Sequence, residues 1–460
     1  MSGEPETRSK NGIETGRGVS FAEASRFWIR LGFINFGGPT GQIALMHQEL
    51  VDRRRWISNG RFLHALNFCM LLPGPEAQQL AIYVGWLLHR VRGGLVAGVA
   101  FILPAFFLIM GLSWAYAVHG DVPAIAGVLS GLQAAVVGIV AAALIRIGGR
   151  ALGNSVMVAI AMGAFVAIFV GGIPFPFIVL TAGALGWIGR RLRPGLFPAS
   201  EEATDDGDSV IGEDAALTDH TVAGGGRALR VLVIGLAMWI LPLIAVSFAP
   251  GIPEVIGEEA LFFSQAALVT FGGAYAVLAY VNQAAVQYYG WLLPGQMVTG
   301  LGLAESTPGP LIMVTEFVGF IGAFRNPGGL DPVVAGVLGA TVTTWATFAP
   351  CFLWIFLGAP YVERLRGNRP LAAALGAITA AVVGVMFNLA LVFGIHTLFD
   401  RVRSVEVLGG VVPVPALASV DLFATTVAAL AFVWLWRFRV SILWVVGFAA
   451  VAGVVRAVVI

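Results

Sequence analysis

Lysine is almost missing from this sequence: Lys10 is the only one in 460 residues, and arginine supplies the rest of the strongly basic side chains. Charge as a whole is scarce, at 12% of residues, where a soluble domain carries about one quarter. The formal net charge of +1 argues for neither a nucleic acid nor a polyanionic partner. Two cysteines, Cys69 and Cys351, cannot make a disulfide framework or a metal site alone, and their apolar neighbours mark them as buried thiols. No Walker loop, dinucleotide fingerprint or nucleophile elbow in a strand context is present, which argues against ATP-driven transport. Neither enzymatic activity nor a cofactor is expected. Residues 1–18 are polar and lack the apolar centre of a cleaved secretory signal.

Apolar sequence is what the chain has in abundance: 58% of residues, with a mean hydropathy of +0.86. It comes in runs such as Leu95 to Val118 and Pro123 to Ile145, each long enough to cross a bilayer. The expected class is an all-α polytopic membrane protein. The arginine preference has two open readings: a planar fork suited to oxyanions, or the codon bias of a GC-rich genome.

Glycine and proline are placed with a period. Phe36-Gly37-Gly38 returns as Phe271-Gly272-Gly273, and Pro73-Gly74-Pro75 as Pro308-Gly309-Pro310, each 235 residues on (36 to 271, 73 to 308). Trp56 and Trp291 keep that offset. Pro104 and Pro350 are 246 apart, so extra residues are expected in a longer loop around Phe324 to Pro332. Matched helix breaks in two halves mark the binding sites of secondary transporters.

The chain divides into a polar tail (1–18), a first repeat (19–193), an acidic flexible linker (194–229), an unpaired transmembrane helix (230–250) and a second repeat (251–460). Six apolar segments and the unpaired one precede the restart, and an odd number reverses direction. An inverted-topology repeat is therefore expected. Arginine placement agrees, because cytoplasmic loops carry the excess. Arg53, Arg54, Arg55 and Arg61 face an uncharged equivalent at Tyr288 to Gly295, whereas the bare turns at His119 to Val122 and Gly171 to Pro176 match loops with Arg364, Arg366, Arg369, Arg437 and Arg439. The rule is best met if 21–50 and 62–89, and their equivalents, enter and return as re-entrant hairpins with arms of about 17–22 Å. That gives nine spans and four hairpins; thirteen plain spans is the alternative.

A helix that starts inside the membrane presents free N–H groups and about half a positive charge, which holds an oxyanion without burying an arginine. The candidate substrate-binding residues follow: Gly37, Gly38 and Gln42 at one break, Pro73, Gly74, Pro75, Gln78 and Gln79 at the next. In the second half they are Gly272, Gly273, Ser306, Thr307, Pro308, Gly309 and Pro310. Ser306 and Thr307 are placed to bond the opening N–H groups or the oxyanion. Glu76 and Glu305 are candidates for proton coupling, with helix capping beside a wet cavity as the plain alternative. Arg26 and Arg30, one turn apart, either attract the anion or snorkel to headgroups. His47, Glu49 and His64 fit an interfacial hydrogen-bonding role.

The stretch from Phe36-Gly37-Gly38-Pro39 through Gln42, His47, Glu49 and Arg53-Arg54-Arg55-Trp56 to Leu72-Pro73-Gly74-Pro75-Glu76-Ala77-Gln78-Gln79 resembles the chromate transporter family. Phe271-Gly272-Gly273 and Gly300 through Glu305-Ser306-Thr307-Pro308-Gly309-Pro310 look like its C-terminal domain. The likeness is to the bidomain, long-chain type. It implies proton-motive export of chromate from the cytoplasm across a bacterial inner membrane, chromate resistance, and overlap with sulfate. A sulfate or oxyanion uptake carrier, or an anion channel of the same fold, is the alternative. Chromate or sulfate, protons and the bilayer are the expected partners, with a homodimer left open. Ala274 and Leu311 depart from the first-half pattern, so the two halves need not play equal roles.

Overall fold

In a computed structural model, residues 19–36, 38–196, 225–271, 274–361, 369–408 and 410–459 are described. The polar tail, most of the acidic linker, Gly37, Gly272, Gly273 and the loop arginines Arg364 and Arg366 lie outside them. Backbone in lipid must satisfy its own hydrogen bonds, and helices do so. The first half runs α1 (Phe21–Ile34), α2 (Gly38–His47), α3 (Asn59–Leu71), α4 (Glu76–His119), α5 (Pro123–Ala151), α6 (Ser155–Phe169) and α7 (Phe175–Leu192). After α8 (Gly225–Ser247) come α9 (Glu254–Val269), α10 (Ala274–Asn282), α11 (Gln296–Ser306), α12 (Val314–Arg325), α13 (Pro332–Gly358) and α14 (Arg369–Leu398). A hairpin of β1 (Val402–Val407) and β2 (Gly410–Pro415) precedes α15 (Leu422–Arg437) and α16 (Ile442–Val459). Six of these helices are long and apolar enough to cross a membrane. The chain is a multi-pass, all-α membrane protein.

The broken segments fold back on themselves. Phe68 and Tyr83 bring their rings to 6.0 Å across the break between α3 and α4, where a straight helix would separate them by about 22 Å. Phe262 and Tyr280 meet at 5.1 Å across the break between α9 and α10. A Cβ on Gly300 would strike the ring of Phe317, so α11 and α12 are equally close. Helix α4 breaks again at His89 and Arg90, the latter at φ 55°. Its two arms then lie so close that a Cβ on Gly85 or Gly93 would hit the other's carbonyl oxygen. The second half makes the same bend between α12 and α13, with the longer loop over 326–331, and Gly339 presses on the Gly319 carbonyl.

The repeat is written into backbone angles as well as sequence. A π-helical turn at Gln48–Arg53 reappears at Gln283–Tyr288. Left-handed residues follow each turn, Arg55 at φ 52° and Gly290 at φ 68°. The long helices are exchanged between halves: α5 packs on α15 and α16, and α14 packs on α6 and α7. Small residues permit this approach. Gly131 lies on the Ala449 carbonyl and Gly138 on that of Ala428, while Gly384 lies on Ala161 and Gly186 on Ala373.

The β hairpin is a departure from the purely helical reading. Its register runs from Val402 opposite Pro415 to Val407 opposite Gly410. Alternation in Val402-Arg403-Ser404-Val405-Glu406-Val407, followed by Gly409-Gly410, is the strand signal that the surrounding apolar composition obscured.

Candidate functional site

The breaks of the two halves are tied to each other crosswise. The Gly74 N–H donates to the Thr270 carbonyl at 2.8 Å, and the Gly309 N–H donates to the Asn35 carbonyl at 3.3 Å. Asn35 and Thr270 are equivalent positions, as are Gly74 and Gly309, so each half gives the other the same bond. Gly74 and Gly309 sit at φ 126° and 125°, where a side chain is strained. Space forbids one too: a Cβ at Gly74 would crowd Gln79 and Cys351, and one at Gly309 would strike Ala105. Gln42 adds a third tie, its Nε2 donating to both the Asn35 and the Gly309 carbonyls.

A small cavity lies where the four breaks meet. It is lined by Pro39, Gln42, Pro75, Glu76, Ala77, Ala274, Pro310, Leu311 and Ile312. Pro39 pairs with Ala274, Pro75 with Pro310, Glu76 with Leu311 and Ala77 with Ile312, each at the 235-residue offset (39 to 274, 75 to 310). The lining is thus drawn from the beginnings of α2, α4 and α10 and of the 3₁₀ turn Leu311–Met313 that leads into α12. First-turn N–H groups have no partner within their helix, and each helix start carries about half a positive charge. None of these lining residues is Arg, Lys or His.

Among the sequence candidates, Gln42, Pro75, Glu76 and Pro310 line the cavity, and Pro73, Gly74, Pro308 and Gly309 form its turns. Gly38 opens α2 at φ 65°. Gln78 and Gln79 stand buried behind the break, donating to the Gly98 carbonyl (3.5 Å) and the Pro73 carbonyl (2.7 Å). Ser306 and Thr307 donate to the Leu303 and Ala304 carbonyls of their own helix. Glu305 accepts a 2.6 Å hydrogen bond from the Tyr275 hydroxyl. Arg26 and Arg30 lie on the exposed face of α1, away from the lining residues. Gly37, Gly272 and Gly273 lie outside the described residues.

Three groups escaped the sequence reading. Tyr275, next to the lining residue Ala274, holds Glu305. Glu259 and Glu316 are fully buried, and neither carboxyl oxygen of either has a hydrogen-bond partner among the described residues. A lone Glu in an apolar run was a readable signal for Glu316, whereas Glu259 follows Glu258 near the start of α9 and stood out less.

Chain comparisons place these features in a lineage. The family model described as chromate transporter matches residues 22–187 and again 258–454. A chromate transport protein of Pseudomonas aeruginosa is 29% identical, over 95% of this chain and 92% of its own length. One of Cupriavidus metallidurans is 28% identical over 86% of this chain and 88% of that protein. A probable chromate transport protein of Synechococcus elongatus is 26% identical over 83% of this chain and 86% of that protein. No solved structure matches the chain. With both halves covered by the same model, the chain belongs to the chromate transporter family.

Proposed function

We propose that this chain is a secondary carrier that exports chromate across the bacterial inner membrane, drawing on the proton motive force and conferring chromate resistance. The observation that carries this reading is the meeting of four helix starts, two from each half, around one cavity. Fixed backbone donors there suit a compact tetrahedral oxyanion. The relatives' names supply the cargo. A membrane potential negative inside pushes an anion outward, by about 2.3 kcal/mol per charge per 100 mV.

The halves are inverted in this reading, and the four folded pairs α1/α2, α3/α4, α9/α10 and α11/α12 are re-entrant. Apart from α4, the helices that flank the four breaks are 9 to 16 residues long, too short to span about 30 Å. The tryptophan loops add support. Arg54 lies 5.0 Å from the Phe27 and Trp56 rings and pairs with Glu49, whereas its equivalent Tyr289 stacks on Trp291 at 4.3 Å. The same aromatic seat holds a cation in one half and a neutral ring in the other, as loops on opposite membrane faces would require.

Everted membrane vesicles test the reading. Energised vesicles carrying the protein should accumulate radiolabelled chromate saturably and lose it on uncoupling. Uptake no greater than in vesicles without the protein would sink the carrier.

A further inference from the structure

We infer that the inward proton has a route of its own, built into the second half alone, with Glu259 as its outer station and Glu316 as its inner one. This route rests on the transport and inverted readings and gives their driving ion a site apart from the oxyanion cavity.

The first half lacks both acids. At the 235-residue offset Glu259 corresponds to Ala24 and Glu316 to Ala81 (24 to 259, 81 to 316). Both alanines are buried in ordinary apolar packing, so the same arrangement of helices forms without either carboxyl. Glu259 and Glu316 are each 0% exposed, and their four oxygens have no hydrogen-bond partner among the described residues. An acid buried this way inside a membrane protein is costly, and it is kept for what it carries.

Glu259 sits where α12 crosses α13. A Cβ on Gly322 would lie 2.5 Å from its Oε1, and one on Gly339 2.8 Å from its Oε2, so the carboxyl occupies room that two glycines leave. Trp291 borders the same spot, and its carbonyl accepts from Arg325, one turn further along α12. Trp291 lies in the uncharged loop of Tyr288 to Gly295, which the inverted reading puts at the outer face. Six residues of α12, about 9 Å, lead inward from Gly322 to Glu316. Five more positions lead to Leu311 in the cavity lining (316 to 311).

Hydroxyls mark the interval. The antiparallel pair α12 and α13 sets Thr343 against Gly319, and one turn on the same register brings Thr347 level with Thr315 and Glu316. Their first-half equivalents are Ala97 and Phe101, at the 246-residue offset (97 to 343, 101 to 347). Thr343 and Thr347 donate to carbonyls of their own helix, which leaves each oxygen able to accept. A hydroxyl that accepts and donates can relay a proton between carboxyls.

A proton fits this setting better than a metal ion. Hard cations want about six or more oxygens, and no group of three His, Cys, Asp or Glu that could hold one occurs among the described residues. A proton needs a single lone pair. It passes from the outer aqueous side to Glu259, then to Glu316, and leaves toward the cavity and the cytoplasm, each carboxyl ending as it began. The other titratable groups around Glu259 are Glu254 and Glu258 on α9, Arg325 on α12, Asp331 at the start of α13, Tyr280 on α10 and Tyr289 beside Trp291; α8 has none over 231–247. Half-buried Glu258, adjacent in sequence, is placed to collect protons at the entry.

Purified full-length protein in liposomes holding a pH dye is the test. A chromate gradient should drive protons the opposite way, whereas exchange of labelled for unlabelled chromate moves no net proton. Glu259→Gln and Glu316→Gln should each cut proton counterflow about tenfold or more and leave exchange within about twofold, because an amide cannot take up the proton. Variants that keep wild-type counterflow, or lose exchange as fully as counterflow, overturn the inference. Dicyclohexylcarbodiimide, apolar and reactive toward protonated carboxyls, puts the same question to unmutated protein. It should abolish counterflow in step with modification of Glu259 or Glu316, read by peptide mass mapping. Counterflow that survives the reagent, or is lost with both residues unmodified, overturns the inference even if the variants do not fold. Wild type that moves chromate without protons overturns it and leaves the carrier standing; wild type that moves no chromate sinks the transport reading as well.

Discussion

Single residues hold the breaks together, and their removal has distinct costs. Tyr275→Phe deletes the donor to Glu305, whose second oxygen has no partner among the described residues. Leaving that buried group short of a bond should cost about 1–3 kcal/mol, read as a lower thermal midpoint in detergent. An unchanged midpoint would show that Glu305 does not depend on the phenol. Gly309→Ala forces a side chain to φ 125° and drives its Cβ into Ala105, so folded yield should fall sharply. Glu76→Gln should lower proton-coupled efflux more than chromate exchange; an equal fall in both would remove Glu76 from coupling. Residue-level chemistry was only partly legible in sequence. The glycines and prolines announced themselves because backbone geometry demands them. Which carbonyl each amide or hydroxyl faces depends on the folded backbone, so sequence marked Gln42, Ser306 and Thr307 as substrate-binding candidates without showing that each donates to a backbone carbonyl.

At the scale of elements, the Pro-Gly-Pro turns aim helix starts at one point. Pro73→Ala with Pro75→Ala should weaken chromate affinity while membrane insertion persists, because a helix that runs on through the break satisfies its own N–H groups. Unaltered affinity would count against the broken-helix site. A second junction ties Asp421, which caps the start of α15 and precedes it, to Arg456 in the last turn of α16. Burial pushes the Asp421 carboxyl up, but its 2.7 Å bond to Arg456 and the N–H groups of Ala424 and Phe423 outweigh that and hold it below its ordinary value. A depressed carboxyl stabilises the fold above its unfolded pKa of about 3.9 and loses that contribution as pH falls through the folded value. Thermal midpoints of wild type should therefore drop in acid, while Asp421→Asn starts lower and changes less over the same range. Element positions were mostly readable: the breaks, the 235-residue offset and the long loop at 326–331 stand where periodicity puts them. The second bend of α4 was harder, since His89 and Arg90 carry no glycine or proline to mark it.

The molecule as a whole is organised by exchange. Reciprocal bonds between breaks and reciprocal packing of α5 and α14 make each half the complement of the other. Inversion predicts that Arg53→Cys and Tyr288→Cys, equivalent and both well exposed, react with an impermeant maleimide from opposite sides of the membrane. The native thiols Cys69 and Cys351 are fully buried and should stay silent. Labelling of both new thiols from one side would end the inverted reading. The pairing of halves was hidden from sequence at this scale. Repeats betray their period, but not whether each packs on itself or on its twin.

Swapped helices also set a timetable for synthesis. The glycine faces of α5 leave the ribosome long before residues 422–459, which are to cover them. At 5–20 residues per second the gap is roughly 15–60 s. During that interval a finished first half carries an open seam in the lipid. A chain cut short before its last helix is thus a natural target for quality-control proteases, and two separately translated halves should rescue each other only when both are present in one cell.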